Sequence, residues 1–380
     1  MAQSDFVRRM PGGMTGSLTL RRSLLQRLHI DMPLLVLLLL LTGYGLLVLF
    51  SASGQNWAVV YRQSVYFIVA YVAMFLCAQL EPRFYERVAP WAYLLGVGLL
   101  VAVLAFGYGA KGAQRWLNLP GIPRFQPSEL MKLAVPMTVA WYLARRVLPP
   151  RPRYVFVSLV IILVPTALII KQPDLGTSIL IAVSGLLVLF YAGLGWNYAV
   201  GALLLGVASL YPIWEFGLRE YQKQRILTLL NPESDKLGAG WNIIQSKTAI
   251  GSGGLQGKGW LQGTQSHLDF LPESHTDFII AVLAEELGLI GVLLLLTLYF
   301  LILLRGLHIA AKCSTLFGRL LSGSLIVTFF IYIFVNIGMV SGLLPVVGVP
   351  LPLVSWGGTS VVSLLAGFGI MMSMYTHDVK

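Results

Sequence analysis

The sequence predicts an all-α polytopic membrane protein of about ten transmembrane helices. Hydrophobic residues make up 57% of the 380-residue chain, charged residues only 11%, and the mean hydropathy is +0.77. A soluble globular domain carries about 25% charged residues, so this composition excludes a soluble protein. Most apolar runs approach the ~20 residues that one bilayer crossing requires, and short polar stretches separate them.

A basic N-terminal tail at residues 1–31 precedes a single predicted membrane domain at residues 32–380. The first apolar run, residues 32–50, is followed by small residues, as in a signal peptide with a cleavage site. Its apolar core is too long for a signal peptide, so we predict an uncleaved membrane anchor. The one long polar stretch, residues 215–276, is predicted to be a loop between helices 7 and 8. The predicted spans are 32–50, 61–80, 91–107, a more polar span ending at Ala144, 154–170, 175–192, 198–214, 277–304, 320–344 and 351–375.

Basic residues set the predicted orientation of this domain. The two termini and the loops near Arg83, Arg145 and Arg305 hold 15 of the 27 Lys and Arg residues, while the short turns at Gly54 and Pro345 hold none. Because short loops rich in Lys and Arg stay in the cytoplasm, both termini are predicted to be cytoplasmic and the long loop extracytoplasmic. The net charge of +11 therefore indicates topology rather than nucleic-acid binding.

Several basic residues lie in the outer half of the predicted domain, against this rule. Long loops are translocated across the membrane whatever their charge, which explains the basic residues within 215–276. It does not explain Lys132 or Lys171, because an unpaired ammonium within an apolar helix costs about 2.5–3.5 kcal/mol. Glu129, three residues before Lys132, and Asp174, across a turn from Lys171, are candidate partners. A phosphate-bearing ligand in an outward cavity is the alternative.

Asp277 ends a short polar run directly before the eighth apolar run. A carboxylate at the edge of a membrane span is unfavourable and usually functional. The pattern from Ser274 to Asp277 also fits a capping box, in which the acid satisfies free amides at a helix start. The two roles are compatible, because a helix N-terminus keeps a carboxylate ionised and able to accept a proton. Glu285 and Glu286, about two turns further on, are predicted to serve packing or interhelical hydrogen bonds.

Two further patterns argue against common ligand sites. The glycine-rich segment, residues 251–259, fails the phosphate-loop pattern because Gly259 stands where Ser or Thr should bind magnesium. We predict instead a flexible backbone that allows close approach. Cys77 and Cys313 lack CxxC spacing and have no histidine cluster beside them, so no structural metal site is predicted.

Five motifs, in order, resemble the motif series of the SEDS (shape, elongation, division and sporulation) family. The resemblance runs from about residue 30 to the end and is stronger to the rod-shape members than to the division members. Trp356, where the family more often has Tyr, departs from the pattern without touching a proposed catalytic group, as does a longer segment at 118–121. The motifs are Lys111-Gly-Ala-Gln-Arg-Trp116, Arg124-Phe-Gln-Pro-Ser-Glu129, Gln172-Pro-Asp-Leu-Gly-Thr177, His275-Thr-Asp-Phe278 with Ala284-Glu-Glu-Leu-Gly288, and Pro350-Leu-Pro-Leu-Val-Ser-Trp-Gly-Gly358.

This resemblance implies a peptidoglycan glycosyltransferase that polymerises lipid II during cell elongation, on the outer face of the bacterial cytoplasmic (inner) membrane. Asp277 matches the family's essential aspartate, so the resemblance implies that it is the general base that deprotonates the 4-hydroxyl of the acceptor sugar. Arg124 and Lys132 are the first candidates to bind the departing undecaprenyl pyrophosphate. The other substrate-binding candidates are Lys111, Arg115, Trp116, Glu129, Lys171, Asp174, Arg219 and His275.

The resemblance also implies partners: a class B penicillin-binding protein as transpeptidase and other membrane proteins of the elongation complex. A divalent cation, Mg²⁺ or Mn²⁺, is an expected assisting cofactor. A lipid II flippase, a division-type polymerase and a non-catalytic scaffold are the alternatives. Against a transporter, the charges cluster on the outer side rather than at the midplane, and the two halves show no convincing inverted repeat. A scaffold gives no reason to keep charges inside the membrane.

Overall fold

The fold is a helical bundle with one short hairpin. The computed structural model describes residues 28–110, 113–116, 126–217, 220–234, 239–264 and 274–377. The strands β1 (Tyr108–Ala110) and β2 (Ala113–Trp116) pair antiparallel. The helices are α1 Met32–Ala52, α2 Trp57–Gln79, α3 Pro82–Phe106, α4 Pro127–Ala144, α5 Pro152–Lys171, α6 Leu175–Tyr191, α7 Trp196–Pro212, α8 Glu220–Leu230, α9 Ala239–Gly253, α10 Ile279–Lys312, α11 Leu316–Val340 and α12 Gly358–Thr376.

A helix lies at each of the ten predicted span positions. Within the described residues, seven of them (α1, α2, α3, α5, α10, α11 and α12) are long and apolar enough to cross a bilayer. Three predicted boundaries are wrong by seven residues or more. Helix α3 begins at Pro82 rather than residue 91, α10 ends at Lys312 rather than residue 304, and α12 begins at Gly358 rather than residue 351. Prolines at 345, 350 and 352 keep the segment before α12 non-helical, because proline has no N–H to donate to a helix.

Where the structure describes it, the stretch predicted as a loop at 215–276 contains two α-helices, α8 and α9. Helix α9 packs against α10 and α11 and buries Ile243 and Ala249. The Oγ of Ser246 donates a hydrogen bond to the carbonyl oxygen of Val340 on α11 (2.8 Å). Part of this segment therefore belongs to the bundle, which the sequence did not predict because α9 is too short and too polar to resemble a span.

Helix α11 lies at the centre of the bundle. In its most apolar 18-residue window, 61% of residues are buried, against 22% in α2 and in α3. It packs against α4, α6, α9, α10 and α12. The buried polar side chains of α11, such as Asn336, therefore face other helices or segments of the protein.

Helix α10 is interrupted at Gly288, which has a left-handed φ of 62° and a ψ of −161°. The glycine-rich segment bridges the interruption. The N–H groups of Lys258 and Gly259 donate to the carbonyl oxygens of Glu285 and Glu286, both at 3.0 Å. These bonds satisfy carbonyls that the broken helix leaves without an intrahelical partner. The close backbone approach predicted for this segment is present.

The side chains of Glu285 and Glu286 form hydrogen bonds between segments, as predicted. Glu285 is fully buried, and its Oε1 accepts from Lys258 Nζ (2.7 Å) and from the N–H of Thr264 (2.8 Å). Glu286 Oε1 accepts from Ser51 Oγ on α1 (2.5 Å). Both carboxylates therefore anchor structure around the start of α10.

Gly257→Ala is expected to destabilise the protein. Gly257 has a φ of 78°, and a Cβ there would overlap the backbone at Glu286 and Gly288. A left-handed conformation alone costs a residue with a Cβ about 1–2 kcal/mol. Gly251→Ala is the matched control, because its Cβ meets nothing within 4 Å. Thermal unfolding in one detergent should show a lower midpoint for Gly257→Ala only; equal midpoints would contradict this account.

Candidate active site

Polar and charged side chains converge on a cavity of about 200 Å³. Its walls are the first turns of α4, α6 and α12, the hairpin strand β2, the C-terminal half of α11 and the segment before α12. The start of α10 lies at the same end of the bundle, because Asn336 on α11 contacts the backbone of both Asp277 and Val349, a residue of the cavity wall. The cavity and Asp277 therefore share one face of the bundle.

Lys132 and Glu129 form a buried ion pair on α4. Their Nζ and Oε1 atoms are 2.7 Å apart, and the side chains are only 13% and 6% exposed. Ser363 on α12 donates from Oγ to Glu129 Oε2 (2.6 Å), and the ammonium lies 5.1 Å from the ring centroid of Tyr332 on α11. Three helices therefore fix the position of one cation, which confirms the predicted pairing of Lys132 with Glu129.

Asp174 holds a second cation at the cavity wall. Its Oδ1 accepts from the N–H of Thr177 and caps α6 (3.3 Å), and its Oδ2 accepts from Gln126 Nε2 (3.1 Å). The Nη1 of Arg115 lies 3.8 Å from the same Oδ2, and its Nη2 donates to the carbonyl oxygen of Pro173. This carboxylate thus joins the hairpin to α6 and places a guanidinium in the cavity wall.

Asp277 lies at the edge of this cavity. The residue is half-buried, and a Cβ built on Gly348, a residue of the cavity wall, would lie 3.5 Å from Asp277 Oδ2. Helix α10 begins only at Ile279, and Ser274 Oγ donates to the carbonyl oxygen of Ala52 (3.1 Å). The capping box is therefore not formed in the predicted register, because the helix starts after Asp277 rather than around it.

Asn336 ties Asp277 to the cavity wall. Its side chain is fully buried on α11, and Nδ2 donates both to the backbone carbonyl of Asp277 (2.9 Å) and to that of Val349 (2.7 Å). Two carbonyl acceptors require the amide nitrogen at this point, so the orientation of the amide is determined. One side chain therefore fixes the distance between the aspartate and the segment that lines the cavity.

The structure brings five of the predicted site residues together. Arg115, Trp116, Glu129, Lys132 and Asp174 all line the cavity. These five residues come from three separate stretches of the sequence, at 115–116, 129–132 and 174. The packing of the bundle brings the three stretches together.

Lys171 and His275 are described by the structure and do not line the cavity. Lys171 is exposed, and its predicted pairing with Asp174 is wrong, because Arg115 and Gln126 occupy that carboxylate. The ring of His275 packs against Trp356 (centroids 5.7 Å apart). The predicted residues Lys111, Arg124 and Arg219 lie outside the described residues, as does the N-terminal tail as far as residue 27.

The sequence did not single out Gln126, Tyr332, Asn336 or Ser363. A usable signal existed for Tyr332 and Asn336, because a polar side chain within an apolar run implies a partner inside the protein. No local signal existed for Ser363, whose bond to Glu129 spans 234 positions of the chain.

The fold and the site together define a class of protein, namely a multi-pass membrane protein with a charged cavity beside a half-buried aspartate. The sequence model of the family described as cell cycle protein, covering FtsW, RodA and SpoVE, matches residues 32–380. The chain therefore belongs to the SEDS family, as its motifs predicted.

Individual relatives agree with this assignment. The chain is 56% identical over 358 residues to the peptidoglycan glycosyltransferase MrdB of Escherichia coli K12, a match that covers 94% of this chain and 96% of MrdB. It is 35% identical over 364 residues to the probable peptidoglycan glycosyltransferase FtsW of Geobacter metallireducens, with coverage of 91% and 95%.

Solved structures share the fold. One, described as the structural coordination of polymerization and crosslinking by a peptidoglycan synthase complex, matches with a TM-score of 0.81 and 31% identity, covering 92% of this chain and 98% of that one. The rod shape determining protein RodA of Thermus thermophilus matches with a TM-score of 0.70 and 29% identity, with the same coverage. These matches confirm the predicted all-α membrane fold.

Proposed function

We propose that this chain is a peptidoglycan glycosyltransferase that polymerises lipid II at the outer face of the inner membrane during cell elongation. The observation that carries the proposal is an aspartate at the edge of a cavity whose wall holds two cations, Lys132 and Arg115, each positioned by a carboxylate. Elongation is favoured over division because identity to MrdB is 56%, against 35% to FtsW. The basic short loops support the outward position of the site.

Asp277 acts in this proposal as the general base. Its carboxylate takes the proton of the 4-hydroxyl of the acceptor N-acetylglucosamine while that oxygen attacks the anomeric carbon of the donor N-acetylmuramic acid. The new C1–O4 bond forms as the bond from C1 to the pyrophosphate oxygen breaks. An α-linked donor then gives a β-1,4 product, so the displacement inverts the anomeric centre. One base suffices, because a pyrophosphate leaves without being protonated.

The cavity cations stabilise the departing undecaprenyl pyrophosphate. Lys132 and Arg115 are held in place by carboxylates, so they need little reorganisation when negative charge develops on the leaving group. Trp116 offers a flat apolar surface against which a sugar ring can pack. Arg124, Lys111 and Arg219 remain proposed contributors, and Lys171 and His275 are the weakest candidates because they stand outside the cavity wall.

A divalent cation finds a poor protein site among the described residues. No cluster of three or more His, Cys, Asp or Glu side chains occurs there. Glu129 and Asp174 are each bonded to a protein cation. We therefore assign no catalytic step to Mg²⁺ or Mn²⁺ and propose that the substrate pyrophosphate is the main ligand of any such ion.

The proposed partner is a class B penicillin-binding protein that crosslinks the strands made here. The related synthase complex couples polymerisation to crosslinking, which supports such an assembly. Other elongation-complex membrane proteins are proposed as additional partners.

Asn336 is proposed as a positioning residue for Asp277. Asn336→Leu should lower kcat by about 10²-fold with KM changed less than about twofold, because a displacement near 1 Å of a catalytic group has that effect. Ser324→Ala is the matched control on α11: Ser324 is equally buried and donates to the carbonyl oxygen of Ser184 (2.6 Å), remote from Asp277. Steady-state polymerisation kinetics should separate the two variants. Equal losses in both would make Asn336 a structural residue only.

The proposed activity is tested with the purified full chain and its cognate class B partner in detergent, supplied with lipid II and Mg²⁺. Gel separation should show glycan ladders. A parallel liposome assay follows fluorescent lipid II across the bilayer. Glycan ladders would show that the protein polymerises lipid II. Movement of lipid II across the bilayer without any glycan ladder would favour the transporter alternative and overturn the proposal.

A further inference from the structure

The α4–α5 turn, defined as residues 145–153 and so including the start of α5, concentrates positive charge. Arg145, Arg146, Arg151 and Arg153 are all exposed, and no Asp or Glu occurs in the sequence between Glu129 and Asp174. None of the four arginines forms an ion pair with another described residue. Four like charges therefore lie close together without a counter-ion from the described part of the chain.

Aromatic rings lie against three of these guanidinium groups. The Cζ of Arg145 lies 4.8 Å from the ring centroid of Trp141. Those of Arg146 and Arg153 lie 5.2 Å and 4.6 Å from the ring of Tyr154. The guanidinium groups of Arg146 and Arg153 share the ring of Tyr154, so they lie within about 10 Å of each other. Their mutual repulsion is weak in water and stronger where the dielectric constant is lower.

The turn lies at the opposite membrane surface from the cavity. Helix α4 starts at the cavity and runs for 18 residues. At about 1.5 Å per residue its length approaches the ~30 Å of a bilayer core. Val147 beside the arginines is 84% exposed, and tryptophan and tyrosine are typical of the headgroup level. Arginines at this end of the bundle are therefore within reach of lipid headgroups.

We propose that the α4–α5 turn binds the phosphodiester headgroups of anionic phospholipids on the membrane face opposite the cavity. The positive-inside rule requires basic charge here and nothing more, and flexible lysines would satisfy it. Guanidinium groups held beside aromatic rings go further, because their planar donors fit phosphate oxygens in a bidentate manner. The proposal does not depend on the catalytic assignment.

Native mass spectrometry of the purified full chain tests this, with equal amounts of phosphatidylglycerol and phosphatidylcholine carrying the same acyl chains. Wild type should bind phosphatidylglycerol in preference. Arg146→Gln/Arg153→Gln should reduce that preference about tenfold or more, since each basic residue contributes about 1 kcal/mol at an anionic surface. Arg146→Lys/Arg153→Lys should fall between the two, because charge remains while stacking and bidentate donors are lost.

Arg83→Gln/Arg87→Gln is the matched control, because both arginines are exposed at the start of α3 on the same membrane face but have Glu81 and Glu86 beside them in the sequence, which offset their charge. The control should retain the wild-type preference. Each of three results would overturn the proposal: no lipid preference in wild type, an equal loss in the control, or displacement of bound lipid by millimolar inorganic phosphate. The last would assign the turn to free phosphate instead.

Discussion

Asp277→Asn should lower the rate of glycan polymerisation by about 10²–10⁴-fold, the usual contribution of a positioned general base. Asparagine keeps the size of the side chain and a carbonyl oxygen, so the approach to Gly348 and the backbone bond from Asn336 are retained. It cannot accept the proton of an attacking hydroxyl. The affinity for lipid II should change little, so the loss of activity should appear as a lower kcat.

Glu286→Gln is the control for this substitution. Glu286 is a buried carboxylate of the same region, and its Oε1 accepts from Ser51, an interaction that a glutamine carbonyl preserves. Polymerisation by Glu286→Gln should stay near wild type in the same gel assay. If Asp277→Asn retained activity within about twofold of wild type, Asp277 would not be the base.

The sequence predicted helix positions well because each span is a local property. An apolar run of about 20 residues needs no knowledge of its neighbours to identify it. The same reasoning failed at Gly358, since the apolar residues before it suggested a longer helix although prolines interrupt them. It also failed for α9, whose burial depends on α10 and α11 and not on its own hydropathy.

The site was predictable only where its residues lie in short motifs. Glu129 and Lys132 share one helix face, so three-residue spacing was enough to pair them. Arg115 and Asp174 lie 59 positions apart, and nothing local distinguished Arg115 from Lys171 as the partner. Contacts of this kind follow from the packing of whole helices, which a single sequence does not encode in any one stretch.

Lys132→Met should abolish most polymerisation and also destabilise the fold. Removing one preorganised cation that stabilises developing charge lowers kcat by about 10²–10³-fold. The same change leaves Glu129 buried and without its ion-pair partner, which costs about 3–5 kcal/mol. Loss of activity in this variant alone therefore does not separate a role in chemistry from a role in folding.

The double variant Lys132→Met/Glu129→Gln separates the two roles. It removes both charges, so the midpoint of thermal unfolding should return towards wild type, because replacing a whole buried pair is far less damaging than breaking it. Polymerisation should nevertheless stay about 10²-fold below that of Glu129→Gln, the reference that retains the lysine. Recovery of activity together with stability would show that Lys132 only supports the fold, and the pyrophosphate would then have to be stabilised by other cations such as Arg115.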